Sequence, residues 1–200
     1  LVDTKSLKGE TINIKAQQIG DYRPLYIGKY QDKILIDHNL SIEENIESNF
    51  MRGRKATINW TEMDFDIFVD TKKRINQPDF LIWDYESTEP LEKIAKSYPV
   101  LIKNMENQSG RICTGNQLTI ILEAKDQDQN WRPIEEPFYY FCGTGLTHFT
   151  INPNEILITA VPIYKGSFQT ELRLRFGDNY SNTFKGSINP GQFETLELKF

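Results

Sequence analysis

The sequence predicts an all-β fold, an antiparallel β-sandwich. Apolar and polar residues alternate along many short segments, helical periodicity hardly occurs, and clusters of Gly, Pro, Asn and Asp separate the segments. Aromatic residues make up 12% of the 200, which is enough bulky material to fill a core between two sheets.

In chain order, the strand candidates of the first half are TINIKA, LYIGKY, KILID, KATINW, MDFDIFVD and FLIWD. The alternation in MDFDIFVD sets Met63, Phe65, Ile67 and Val69 on one face and Asp64, Asp66, Phe68 and Asp70 on the other. Two stretches read as helix. SIEENIES places Ser41 and Glu44 at capping-box spacing, and STEPLEKIAKS offers Thr88 as an N-cap with Pro90 inside the first turn. The second stretch, short and charged, is expected to be a linker over 86–97. It would divide the chain into a β-rich N-terminal region, 1–96, with one or two short helices, and a sandwich, 97–200.

Beyond that point come PVLIKN, QLTIILEA, PFYYFC, HFTIN, EILITAV, FQTELRLRF and a terminal strand carrying Leu196, Leu198 and Phe200. About seven strands in about 100 residues is the spacing of an immunoglobulin-like sandwich. FQTELRLRF is the cleanest element: Phe168, Thr170, Leu172, Leu174 and Phe176 face one way, and Gln169, Glu171, Arg173 and Arg175 the other. Leu118, Ile120, Leu172, Leu174, Leu196 and Leu198 are expected to share a core. Gly177-Asp178-Asn179, Asn152-Pro153-Asn154 and Asn189-Pro190-Gly191 punctuate the strands.

The net charge of −5 comes without a basic stripe, which argues against a nucleic-acid partner because phosphate binding relies on clustered Lys and Arg. No apolar run approaches the roughly 18 residues that a membrane-crossing helix needs. The start at Leu1, without Met, points to removal of a signal peptide, and a lipidated Cys upstream of Leu1 would make the polar start a membrane tether. Four Asn-x-Ser/Thr triplets occur, at Asn39, Asn59, Asn107 and Asn179.

The two cysteines, Cys113 and Cys142, each end a strand candidate and are each followed by Gly-containing turn residues. An even count in an exported chain favours a disulfide between them. As a nucleophile, Cys142 with His148 lacks the strand-to-helix elbow that such a residue occupies, since YFCGTGLTHFTIN continues as strand. The Asp64, Asp66 and Asp70 row could supply a glycosidase pair, but solvated strand faces carry such rows routinely. DQDQNW imitates the start of a calcium loop, yet Trp131 and Pro137 stand where Gly and Glu are required. A polar hairpin loop with Trp131 packed across the strand pair is expected instead, with no metal and no cofactor.

Trp60, Trp83 and Trp131 are the candidate ligand-binding residues, because exposed rings stack on the flat faces of sugars. SYPVLIKN, LEAKDQDQNWRPIE, FCGTGL, YKGSFQTELRLRF and SNTFKGSIN, spread over residues 97–193, resemble a group of uncharacterised exported proteins of Bacteroidota-type bacteria. That resemblance implies a bacterial, extracytoplasmic β-protein and carries over no functional residue. The expectation is therefore a non-catalytic binding or structural module in the periplasm or at the cell surface, engaging a protein or glycan. The alternative is a hydrolase using Cys142/His148 or the Asp64/Asp66/Asp70 face.

Overall fold

The computed structural model describes residues 2–3, 8–36, 50–51, 58–82, 91–113, 117–138 and 148–194. The strands in chain order are β1 (Val2–Asp3), β2 (Gln18–Ile19), β3 (Tyr26–Lys29), β4 (Leu35–Ile36), β5 (Phe50–Met51), β6 (Ile58–Asn59), β7 (Phe65–Val69), β8 (Ile75–Ile82) and β9 (Leu91–Asn104). They continue with β10 (Gly110–Arg111), β11 (Ile120–Lys125), β12 (Trp131–Pro133), β13 (Glu135–Glu136), β14 (His148–Ile151), β15 (Glu155–Pro162), β16 (Phe168–Phe176), β17 (Asn179–Tyr180) and β18 (Phe184–Ile188). The protein is all-β, and only two short 3-10 turns, Trp60–Glu62 and Pro190–Phe193, interrupt the strands among the described residues. No helix among them is long and apolar enough to cross a membrane.

Two antiparallel sheets dominate. The first has the order β3-β15-β9-β7, with β8 following β7 along the same edge of β9. The second has the order β12-β11-β16-β17, with β18 beside β16. A four-stranded sheet, β5-β14-β10-β6, and two short parallel pairs complete the arrangement.

The period-2 reading places the core residues correctly. Met63, Phe65, Ile67 and Val69 are buried, as are Leu172, Leu174 and Phe176, because a strand covered on one face must put alternate side chains there. Leu118, Ile120, Leu172 and Leu174 join one core cluster; Leu196 and Leu198 lie outside the described residues. EILITAV is instead a continuous apolar run because β15 is covered on both sides. Leu157 and Val161 enter the main core, whereas Ile156 and Ile158 pack with Ile34 and Ile36 in a second, smaller cluster.

The helix expected in STEPLEKIAKS is strand from Leu91 onward. β8 pairs with Leu91–Ser97 on one edge, while Glu10 bridges Ala95 on the other through Glu10 N to Ile94 O (3.0 Å) and Lys96 N to Glu10 O (2.8 Å). These ladder bonds outweigh the helix preference of Leu, Glu, Lys and Ala. The expected junction at 96/97 consequently falls inside an unbroken 14-residue strand. The main core also draws on both sides of it, from Ile12 to Ile188. The helix expected in SIEENIES lies outside the described residues.

One edge of the first sheet is closed by side chains. Asn179 Oδ1 accepts from Phe65 N (3.1 Å) and its Nδ2 donates to Met63 O (2.9 Å); Asn182 Oδ1 accepts from Val69 N (2.7 Å) and its Nδ2 donates to Val69 O (3.2 Å). With the backbone bridge Ile67↔Ser181 between them, the two carboxamides satisfy edge groups that would otherwise invite pairing with another chain. Asn179→Ala is expected to cost about 1 to 3 kcal/mol, since it orphans backbone groups at the margin of the core. Asn107→Ala, in an exposed loop, should change the urea midpoint by less than about 0.5 kcal/mol equivalent. Equal effects from the two would remove the clamp.

Candidate functional site

The outward face of the second sheet carries a set of charged and aromatic groups in mutual contact. The hairpin between β11 and β12 is organised by Asp126, whose Oδ1 accepts from Asp128 N and Asn130 N, each at 2.9 Å, while Gln129 adopts φ +65°. This is the polar hairpin expected from DQDQNW. Its first carboxylate is used by the loop backbone, and the described residues contain no cluster of three or more acidic, His or Cys side chains placed to hold a metal ion.

Leaving the hairpin, Trp131 sits opposite Lys125 in the β11–β12 register. The Arg173 guanidinium lies 4.4 Å from the centre of the Trp131 ring and 4.0 Å from that of Tyr180, a cation held between two aromatic faces. Arg173 Nε also donates to Glu123 Oε2 (2.8 Å) and Arg175 Nε to Glu123 Oε1 (2.9 Å), so the buried Glu123 carboxylate is neutralised from both oxygens. Lys125 Nζ meets Glu171 Oε2 at 2.7 Å, and this bond and charge hold the exposed Glu171 carboxyl below its usual range.

Two open grooves flank Phe168 at the start of β16. The larger, about 520 Å³, runs between the hairpin and β18 and is lined by Lys125, Gln127, Gln129, Gln169 and Lys185 around Phe168. The smaller, about 280 Å³, lies towards Pro190 and Phe193 and shares Asp126, Gln127 and Phe168 with the first. Phe193 meets Phe168 edge-on at 6.2 Å and is itself covered by Arg132, which donates to Phe193 O at 3.0 Å. Phe168 is thus a braced, half-buried ring on the ridge between two polar grooves.

The candidate tryptophans do not converge. Trp60 stacks on Phe176 at 5.1 Å and 4°, on the core side of β16, whereas Trp131 packs on Arg173, which points from the opposite face of the same strand. Trp83 lies outside the described residues. Asp64 and Asp66 are exposed, but Asp70 has left the strand. It accepts from Lys72 N (3.1 Å) and pairs with Lys73 (3.4 Å), so it caps the turn between β7 and β8. Of the Cys142/His148 pair, Cys142 lies outside the described residues, and the backbone of His148 pairs with Met51. Cys113 is buried, and burial would push a thiol there up to about 12. The amide of Asn179, one of the four triplet asparagines, is occupied by the edge clamp.

Phe168 was expected to face the core with Leu172, and it packs against the edge of that core while remaining half-buried. Thr170, a polar residue in the apolar row, lies between Phe168 and the fully buried positions; its hydroxyl donates to Lys125 O at 2.7 Å. No protein-family model matches the chain, and neither curated proteins nor solved structures give a match.

Proposed function

We propose that this chain is a non-catalytic, extracytoplasmic sandwich module of two packed sheets that binds a glycan across Phe168 and the two grooves beside it. The observation that carries this reading is the braced aromatic ring between walls of carboxamides, Gln127, Gln129 and Gln169. A sugar presents a C–H face that suits a ring and hydroxyls that both donate and accept, and carboxamides match the hydroxyls in both senses. Charges in the grooves nearly cancel, with Lys125, Arg132 and Lys185 against Asp126, Asp128, Glu171 and Glu194, which favours a ligand without strong net charge. The bacterial, exported setting is supported by the sequence resemblance and by the even number of cysteines, two.

Hydrolysis has less support. Glu171 is tied to Lys125 and Asp126 to its own loop, and none of the groove carboxylates is buried as a glycosidase acid must be. Affinity electrophoresis through gels containing neutral or acidic polysaccharides tests the reading. Migration should be retarded by at least one neutral polysaccharide, with no reducing ends released on long incubation. Phe168→Ala should weaken the interaction at least about tenfold, ~1.4 kcal/mol, with an unchanged circular dichroism spectrum. Retardation that survives Phe168→Ala, or no retardation by any polysaccharide, would sink the proposal.

A further inference from the structure

Away from the grooves, three separate elements bring Tyr22, Glu135 and Tyr164 together in the interior. Glu135 belongs to β13, which pairs in parallel with β2 through Glu135↔Gln18 and is bonded onward by Gly20 N to Glu136 O (2.8 Å). Tyr22 follows β2, and Tyr164 lies just past β15. The Tyr22 hydroxyl donates to Glu135 Oε2 at 2.5 Å, the Tyr164 hydroxyl donates to Oε1, and all three side chains are buried.

What sets Glu135 apart is its neutral company. Glu123, also buried, lies under two guanidiniums, whereas no cation pairs with Glu135 among the described residues. The carboxylate whose charge acts on it is Asp21, a like charge. Arg23 is already engaged with Asp21 through bonds of 2.9 and 3.0 Å. From β8 and β9 the adjoining polar groups are neutral: Gln77 donates to Asp21 O (2.9 Å) and Ser97 to Gln77 Oε1 (3.5 Å). β11 contributes a backbone hydrogen bond from Leu122.

We propose that Glu135, clasped by Tyr22 and Tyr164, is a proton-binding site whose occupancy governs how tightly residues 18–22 dock on β13. When protonated, the carboxyl can donate to one phenol in place of accepting from it and still accept from the other, so the buried cluster carries no net charge. Deprotonation leaves an uncompensated anion in the core beside Asp21. Burial raises the carboxyl from 4.5 to about 7 against the lowering effect of its hydrogen bonds from Tyr164, Tyr22 and Leu122. Both phenols are pushed well above their usual range, by burial first and then by the charge of Glu135, so they keep their protons across the whole window.

The folded state therefore binds this proton more tightly than the unfolded chain does. Its contribution to stability is complete below about 4.5 and is lost as pH rises through about 7. Between pH 5.5 and 8.5 the folding constant should fall about thirtyfold from this one group. Histidine as a residue type ordinarily titrates in the same window, so the measurement is a difference between the wild-type chain and Glu135→Gln, which have the same histidines.

Urea unfolding at the two pH values should show the wild type losing about thirtyfold more of its folding constant than the variant. Hydrogen-exchange protection at residues 18–22, corrected for intrinsic rates, should fall with rising pH in the wild type alone. If Glu135→Gln does not fold, a carbon-13 titration of the wild-type glutamate carboxyls replaces it, with one resonance expected to titrate near 7. Equal pH dependence in both proteins, protection at 18–22 indifferent to pH, or glutamate carboxyls that all titrate below about 5.5 would each overturn the assignment.

Discussion

Truncating Phe176 to alanine is expected to cost about 3 to 5 kcal/mol of folding stability. The ring is almost wholly buried and stacks on Trp60 at 5.1 Å and on Phe65 at 5.0 Å. It therefore touches the turn before β7, β7 itself and its own sheet at the corner where Asn179 clamps the β7 edge. Its removal loses the transfer energy of a phenyl group, opens a cavity between two sheets and breaks two aromatic contacts, each worth on the order of 0.5 to 1.5 kcal/mol. Leu174→Ala, fully buried but aliphatic, should cost about 2 to 5 kcal/mol. Urea denaturation of both variants checks this, and a loss for Phe176→Ala of less than about 1 kcal/mol would mean that the two sheets do not pack through this corner.

The positions of Phe176 and Leu174 are legible in the sequence because a strand buried on one face must alternate, and FQTELRLRF and MDFDIFVD do so. The turn at Gly177, with φ +61°, and the loop at Asn154, with φ +62°, are legible because few residues tolerate that backbone. Leu91–Ser97 are different. Their local composition is that of a helix, and only ladders to β8 and Glu10, distant in sequence, make them strand. Two-residue pairs such as β2 with β13 leave no pattern for a periodicity to find.

Glu135 was hidden by the same rule that revealed the core. Ile134 beside it is fully buried, so alternation would turn Glu135 towards solvent; both are buried because β13 lies between β11 and the β2 segment. Of the candidate site, the hairpin and the position of Trp131 were readable from DQDQNW. The stacking of Arg173 on Trp131 and the pairing of Phe168 with Phe193 depend on contacts between residues 42 and 25 positions apart. Asn179 and Asn182 read locally as turn formers, and their use as a substitute strand edge is a tertiary matter.

A disulfide between Cys113 and Cys142 is expected to stabilise the fold by about 3 to 4 kcal/mol, which reduction would remove. The loop it closes has 28 intervening residues, and the chain-entropy treatment assigns that magnitude to the freedom taken from the unfolded chain. Cys113 follows β10 directly, and the β10–β14 register, Gly110↔Ile151 and Arg111↔Thr150, continues through Ile112 N to Phe149 O at 3.0 Å. Carried one residue further, the register sets Cys113 opposite His148, and only six positions of chain separate His148 from Cys142. Six residues can span at most about 20 Å, a length that permits the 5.5 to 6 Å Cα separation that a bridge adopts. Thiol counting on the native protein does not discriminate, because a buried thiol at Cys113 pushed up to about 12 would be unreactive whether or not Cys142 is free to react. The count after unfolding without reductant does discriminate: zero thiols are expected, and two would exclude the bridge. The double Cys→Ser variant should match the reduced wild type in urea midpoint and retain polysaccharide binding. Rapid native alkylation of Cys142 alone at neutral pH would instead give that residue a reactive role.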